Sequence, residues 1–326
     1  MRAIIPVAGV GSRLKPHTHT IPKVLLNVGG KPILGHILDK LIAAGIDKGT
    51  FIYGYLGDMV MKYVVNNYPD FKSDFVEQQS LEGLGHAIYL ASSTFDDEEL
   101  FIILGDTIFD VDLNPVFGRK CTSLGVKHVD DPGRFGVALL HPDNKIKQLI
   151  EKPKEPVSNL ALAGLYYIKN PKLLAECLDN LVTNDIRTRG EYQLTDALQM
   201  MIDKGEKMTV FEVDGWYDCG KPETLLATNS YLLTSLNFQN HIPGVVVIPP
   251  VYVAKTAVIQ HSVIGPYATI GENAKITSSI IRNSIIGDNA EIDKTMLEDS
   301  LIGSNSSIKG GFKRLNSGDS TEIEFY

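Results

Sequence analysis

Ala3-Ile4-Ile5-Pro6-Val7-Ala8 runs directly into Gly9-Val10-Gly11-Ser12-Arg13-Leu14-Lys15. A short apolar run of this kind reads as a strand buried on both faces. The two glycines that end it let the backbone turn sharply and present N–H groups to an anion. Arg13 and Lys15 bring positive charge to the same loop. The stretch therefore predicts an α/β sheet whose first strand ends in a phosphate-binding loop; the alternative is an ordinary tight strand-to-helix turn.

Working outward, Pro16 and Pro22 bracket His17-Thr18-His19-Thr20-Ile21, which reads as extended loop. Apolar positions Ile33, Ile37, Leu38, Leu41 and Ile42 have helical spacing and stop at Gly45. A strand at 51–53, a helix at 58–67 and a strand at 74–76 continue the alternation expected of a mostly parallel, Rossmann-like sheet with helices on its faces. The apolar strand 100–104 ends at Gly105-Asp106, which puts a carboxylate where open α/β sheets present their ligands. Strands at 123–128, 136–140, 146–151 and 162–168 follow, read as the acceptor half of the site. Helices are expected at 173–181 and 195–204, the second with Thr195 or Asp196 as N-cap. A strand at 210–213 then delivers Gly215-Trp216-Tyr217-Asp218-Cys219-Gly220.

The character changes after a linker helix expected over 222–240. From Val246 onward the aliphatic marks Val258, Ile264, Ile270, Ile276, Ile281, Ile286, Ile292, Leu297, Ile302 and Ile308 recur at six residues with some fives. Gly265, Gly271, Gly287 and Gly303 each follow an aliphatic residue. This is the hexapeptide pattern of a short left-handed parallel β-helix, with about eighteen residues per coil and three to four coils. The expected division is a catalytic region 1–240, a β-helix 241–310 and a polar tail 311–326. So few coils need covered ends, so a homo-oligomer through the β-helix is expected.

Composition narrows the function classes. A net charge of −8 with no concentrated Lys/Arg run argues against a nucleic-acid partner, so a bound phosphate would be held by a local site. Three scattered cysteines, Cys121, Cys177 and Cys219, argue against a disulfide framework and a thiolate zinc site. No stretch approaches ~20 uninterrupted apolar residues and no signal-peptide core is present, so the reading is cytoplasmic with no membrane partner. The loop lacks the third glycine of the dinucleotide fingerprint, and Gly29-Gly30-Lys31 runs into Pro32, which rules out a P-loop. Gly-x-Ser-x-Gly is absent, and the eight histidines form no ligand set.

What remains is a set of charges at strand ends. Gly9, Gly11 and Arg13 can hold phosphates, Asp106 and Asp218 a divalent cation, and Lys23 and Lys152 further negative charge. Mg²⁺ prefers one or two carboxylates plus substrate phosphates to an all-protein cage, so two aspartates suffice. Phosphoryl or nucleotidyl transfer is the implied reaction.

Eight motifs carry a resemblance. They are Val7-Ala8-Gly9-Val10-Gly11-Ser12-Arg13-Leu14 with Pro22-Lys23, Gly83-Leu84-Gly85-His86-Ala87, Leu104-Gly105-Asp106, Phe135-Gly136-Val137, Glu151-Lys152-Pro153, Ala163-Gly164-Leu165-Tyr166, Glu191-Tyr192-Gln193-Leu194-Thr195-Asp196 and Trp216-Tyr217-Asp218-Cys219-Gly220. In this order they resemble the sugar-1-phosphate nucleotidyltransferases, particularly the long form of glucose-1-phosphate thymidylyltransferase. The resemblance implies a GT-A-like catalytic fold that joins a nucleoside triphosphate to a hexose 1-phosphate with Mg²⁺, giving an NDP-sugar and pyrophosphate. It places dTTP and glucose 1-phosphate first, with UTP- or GTP-dependent enzymes as alternatives.

Residue by residue, the resemblance implies that Ala8, Gly9, Gly11, Ser12 and Arg13 wrap the triphosphate and that Gln78 and Gly83 read the base. Lys23 would lie by the reacting phosphate, with Asp106 and Asp218 on the metal. Gly136, Glu151, Lys152 and Gly164 would surround the sugar phosphate. Four positions depart from the pattern: Val10 for a second adjacent glycine, Phe135 for Tyr, Gln193 for an acidic residue and Cys219 for Thr. None removes a catalytic charge. Two other readings stand beside this one. The chain is a non-catalytic paralogue that binds the same ligands, or the β-helix adds an acetyltransferase activity, for which it offers only His261 as a base.

Overall fold

The structure, a computed structural model, describes residues 1–235 and 242–311. Two units divide the chain: Met1–Asn27 with Lys31–Thr228, and Val28–Gly30 with the chain from Asn229 onward. The expected linker helix over 222–240 is described as far as Ser235. Its last residues, and the expected tail beyond Gly311, lie outside the described residues.

The first unit is built on a mixed sheet. In chain order its elements are β1 (Arg2–Pro6), α1 (Ile33–Ala43), β2 (Lys48–Tyr53), α2 (Gly57–Asn67), β3 (Lys72–Glu77), α3 (Leu84–Leu90), β4 (Leu100–Ile103), β5 (Thr107–Asp110), β6 (Thr122–His128), β7 (Gly136–Leu140), β8 (Ile146–Glu151), β9 (Leu160–Ile168), α4 (Pro171–Thr183), α5 (Leu194–Asp203), β10 (Met208–Glu212), β11 (Gly215–Asp218) and α6 (Pro222–Ser235). The strand order is β8-β7-β9-β4-β1-β2-β3, with β6 joining β9 and β10. Ala3, Ile4 and Ile5 are fully buried, as a central strand covered on both faces requires.

The pairs β1–β2, β1–β4 and β2–β3 are parallel, so the chain leaves β1, β2, β3 and β4 at one edge. The expected parallel sheet holds for this half. Where β9 joins, the pairing turns antiparallel to β4, β6 and β7. The register of β9 against β6 shifts between Leu162 and Tyr166, and Gly164 sits inside that shift at φ 84°. A left-handed glycine at such a register shift lets the strand bend locally.

The second unit is the β-helix. One face stacks Val246–Val247, Val263–Ile264, Ile280–Ile281 and Met296–Leu297 in parallel. A second stacks Val251–Val253, Ala268–Ile270, Ile285–Ile286 and Leu301–Ile302, and a third Val258–Gln260, Lys275–Thr277, Glu291–Asp293 and Ser307–Lys309. Ile264, Ile270, Ile276, Ile281, Ile286 and Ile292 fill the interior together with Ala268, Ala274 and Ala290. Each coil takes sixteen or seventeen residues rather than eighteen, as the pairings Ile264↔Ile281 and Ile276↔Ile292 show. The shorter coil comes from faces of five residues. It also corrects one mark: Val258 is half exposed and Ile259 points inward.

Asn229 of α6 is fully buried in this unit. Its Oδ1 accepts the Gly29 N–H at 2.9 Å and the Thr269 hydroxyl at 2.6 Å, while Nδ2 donates to the Tyr267 carbonyl at 3.1 Å. The Gly29-Gly30 turn is thus held by a residue two hundred positions later.

Candidate active site

The glycine loop follows β1 at the ligand edge. Gly9 is exposed with open space around it, and Ala8 behind it is buried. Gly11 is left-handed, with φ 67° and ψ 38°. A Cβ there would fall 2.9 Å from Thr18 Cγ2 and 3.0 Å from Lys23 Cβ, so glycine is required both by conformation and by space. Ser12 and Arg13 begin a short 3₁₀ turn, both exposed. The stretch expected to be extended, His17–His19, is also a 3₁₀ turn. It tucks Thr18 under the loop, where the Thr18 hydroxyl donates to the Gly11 carbonyl at 2.8 Å. This tertiary contact, which proline spacing does not encode, holds the bend.

Lys23 is 6% exposed and lies between two carboxylates. Its Nζ is 2.6 Å from Asp106 Oδ2 and 3.9 Å from Asp218 Oδ1. Strand pairing brings the two aspartates together: β5 and β11 are antiparallel with Asp218 opposite Thr107, and the Cys219 N–H donates to the Asp106 carbonyl. A Cβ on Gly220 would fall 2.7 Å from Arg13 Nη2 and 2.8 Å from Asp218 Oδ1, so Arg13 and Asp218 flank one point. Both aspartate side chains keep more than 40% of their surface open to solvent. One buried ammonium with two accessible carboxylates is a set that fits a hard divalent cation and phosphate oxygens. Burial pushes the Cys219 thiol up to about 12, which keeps it a poor nucleophile beside these groups at neutral pH.

A second cluster forms at the ends of β7 and β8. Gly136 pairs with Glu151, and a Cβ on Gly136 would fall 2.9 Å from both Glu151 Oε2 and Thr195 Oγ1. Thr195 donates to Glu151 Oε2 at 2.7 Å, while Lys152 Nζ lies 3.4 Å from Glu151 Oε1. Neither Thr195 nor Asp196 is therefore the expected helix cap. Gln193 occupies that position with extended backbone and no capping hydrogen bond, and Thr195 is buried within the first turn of α5. Burial raises the pKa of Asp196, next in the chain, and its Oδ2 has no hydrogen-bond partner among the described residues. Gly164 O accepts from Leu104 N at 3.1 Å, two residues before Asp106. The Phe135 and Trp216 rings, 4.8 Å apart, tie the start of β7 to the strand that carries Asp218.

A third group lies after β3. Gln78 is buried, and its Nε2 donates to the Gly83 carbonyl at 3.3 Å with His86 Nδ1 at 3.5 Å. Gly83, at φ 111°, has the Tyr192 carbonyl where a Cβ would go.

The structure thus groups Gly11, Arg13, Lys23, Asp106 and Asp218; Gly136, Glu151 and Lys152; and Gln78 with Gly83. Sequence reasoning missed Thr18, His86, Thr195 as a Glu151 partner, and Arg189, whose guanidinium donates to the Lys152 carbonyl. The Gly83–Ala87 motif contains His86 and the Glu191–Asp196 motif contains Thr195, but neither spacing assigns them these partners.

Residues 2–235 match the nucleotidyl transferase family, NTP_transferase. The chain is 40% identical over 238 residues to the bifunctional protein GlmU of Methanocaldococcus jannaschii, covering 73% of this chain and 55% of the relative. It spans about half the length of such bifunctional relatives. It is 33% identical to the UTP–glucose-1-phosphate uridylyltransferase AglF of Haloferax volcanii, covering 68% of this chain and 93% of AglF. Agl11, a low-salt glycan biosynthesis nucleotidyltransferase of the same organism, is 31% identical over 87% of both chains. Among solved structures, a putative glucose-1-phosphate thymidylyltransferase from Bacillus anthracis superposes with TM-score 0.62 at 29% identity, over 74% of this chain and 98% of that one. A UDP-glucose pyrophosphorylase in complex with UDP-glucose shares the fold at TM-score 0.63 and 23% identity, over 72% of this chain and 99% of that one. With this match across most of its length, the chain belongs to the nucleotidyl transferase family, among the sugar-1-phosphate nucleotidyltransferases.

Proposed function

We propose that this protein transfers a nucleotidyl group from a pyrimidine nucleoside triphosphate, dTTP or UTP, to glucose 1-phosphate, releasing pyrophosphate. The observation that carries the reading is the Lys23 ammonium held between Asp106 and Asp218 beside a left-handed glycine loop, with a separate Glu151–Thr195 pair where the end of β8 meets the first turn of α5. AglF supports UTP and the thymidylyltransferase structure supports dTTP.

In this reading an oxygen of the sugar phosphate attacks the α-phosphorus in line. The new P–O bond forms as the α–β bridge breaks and pyrophosphate leaves with its electron pair. The attacking phosphate is already an anion, so no protein base is needed; positioning and charge stabilisation supply the catalysis. Loop N–H groups from Gly9 to Arg13 bind the triphosphate, and the Arg13 guanidinium takes charge from its leaving end. Lys23 faces the reacting phosphate, Lys152 holds the sugar phosphate, and Glu151, oriented by Thr195, accepts from sugar hydroxyls. Asp106 and Asp218 would hold Mg²⁺, which when bound neutralises charge on the phosphates. The enzyme works in the cytoplasm, with no nucleic-acid or membrane partner.

The test is a pyrophosphate-release assay that crosses dTTP, UTP, GTP and ATP with glucose, mannose and N-acetylglucosamine 1-phosphates. Turnover is expected with glucose 1-phosphate and a pyrimidine nucleotide. It should fall by about 10²-fold or more in Asp106→Asn and disappear with a chelator. A folded protein that binds nucleotide yet turns over no pair is the non-catalytic paralogue, and the proposal fails.

A further inference from the structure

Residues 185–195 touch both the base side and the sugar side of the site. Toward the base, Tyr192 N donates to the Glu82 carbonyl and its own carbonyl accepts from Gly85 N, both at 2.8 Å, which brackets Gly83. Toward the sugar, Arg189 reaches the Lys152 carbonyl and Thr195 reaches Glu151. Only Gln193 and Leu194 separate Tyr192 from Thr195, and both are buried. Thr188 and Glu191 close a tight antiparallel bridge around Arg189 and Gly190, both left-handed, and Gln193 Nε2 donates to Glu191 at 3.0 Å. The segment is thus cross-bonded to itself from Thr188 to Gln193.

Arg187 fastens it to the base-side loop. Its Nη2 lies 2.7 Å from Glu82 Oε2 and 2.7 Å from the Tyr192 hydroxyl, and its Nε donates to Asp185 at 2.6 Å. The guanidinium also lies 3.9 Å from the centre of the Tyr192 ring. Tyr192 closes the set by donating to Asp185 at 2.6 Å. A planar fork that pairs with a carboxylate and stacks on an aromatic ring is a job for arginine rather than lysine.

Resting on the nucleotidyltransferase reading, we propose that 185–195 is a strap shared by the two substrate pockets. Arg187 is the positioning residue that makes occupancy of one pocket favour the other. A nucleotide that settles the 80–85 loop fixes Tyr192 through two backbone bonds, and with it Thr195, Glu151 and the Lys152 backbone. Coupling of this kind is reciprocal, so glucose 1-phosphate tightens nucleotide binding by the same factor.

Calorimetric titration of the full chain tests this, using glucose 1-phosphate with and without a non-hydrolysable α,β-methylene dTTP analogue. The wild type should bind glucose 1-phosphate about fivefold tighter or more when the analogue is present. Arg187→Ala should reduce that factor toward one, with kcat at saturating substrates changed less than threefold. Arg187→Lys, which keeps the charge opposite Glu82 but not the stack, should be intermediate. Glu82→Gln removes the same anchor from the other side and serves if Arg187→Ala folds poorly. A wild type that turns over substrate but shows a factor of one overturns the strap and leaves the activity intact. An unchanged factor in both variants, with kcat and stability lowered instead, reduces Arg187 to a structural residue and also overturns it. Absence of turnover with every substrate pair is a separate failure, that of the nucleotidyltransferase reading.

Discussion

Thr195 donates its hydroxyl to Glu151 across 2.7 Å, and the Glu151 side chain is only 9% exposed. Removing the donor leaves a buried carboxylate oxygen short of a partner, a loss of about 1–2 kcal/mol. Thr195→Val should therefore raise KM for glucose 1-phosphate by about tenfold with little change in KM for the nucleotide, as steady-state kinetics would show. Equal changes in both constants would mean that Glu151 does not serve the sugar pocket. Asp196, beside it, makes a pH prediction. Burial lifts its pKa, outweighing a hydrogen bond with Thr188 that lowers it and helped by the nearby Glu151 charge, so the native state binds this proton more tightly than the unfolded chain does. The stability it contributes is complete below the ordinary carboxylate range and is lost as pH rises through the lifted value. Asp196→Asn should raise Tm at pH 7.5 by about 2–4 °C, and the gain should shrink toward pH 4 in thermal melts. A gain that grows on acidification would reverse the sign and refute the account.

At the scale of elements, periodicity was informative wherever one physical cause produced it. Strands β7 and β8 begin and end where the apolar pattern places them. The glycine loop was legible because conformation and close approach both demand glycine at position 11. Thr195 was not legible as a Glu151 partner because forty-four residues separate them, and a threonine at a helix start reads more readily as a cap. His17–His19 failed for a similar reason: the Thr18 contact to Gly11 is tertiary, and proline spacing alone favoured extension. In the β-helix, alternation of five- and six-residue faces shifts the inward position by one, so a strict six-residue count back from Ile264 lands on Val258 where the structure turns Ile259 inward.

The corners of the coils carry a further consequence. Asn273, Asn289 and Asn305 turn one corner at φ 55–59°, a region asparagine tolerates. Another corner uses His261, Ser278 and Lys294 at φ 49–52°. Lys294 is exposed, so its side chain offers little packing to offset that strain. Lys294→Asn should stabilise the β-helix by up to about 1 kcal/mol, read as a higher urea midpoint. A lower midpoint would mean that the lysine side chain contributes more than its backbone costs.

For the whole molecule, the three outer faces of the β-helix differ in chemistry. On the second face Thr269 is taken by Asn229, and on the third Lys275 pairs with Glu291 at 3.1 Å. The first presents one outward ladder, Val246–Val263–Ile280–Met296, in register. Val246 and Met296 at its ends are 59% and 77% exposed. A contiguous apolar stripe of this kind marks an interaction surface, and a straight ladder of rungs can meet its own copy across a symmetry axis. The assembly proposed for this protein is therefore a homo-oligomer joined through the first face. Met296→Glu would place a carboxylate in that contact, where a pair of like charges has no partner to relieve it. Light scattering on the full chain should give a multiple of the chain mass for the wild type and the single-chain mass for Met296→Glu. Pyrophosphate release per chain should be retained, because the proposed catalytic charges lie in the first unit. A single-chain mass for the wild type, or an assembly that survives both Met296→Glu and Ile280→Glu, would rule out the ladder as the joining surface.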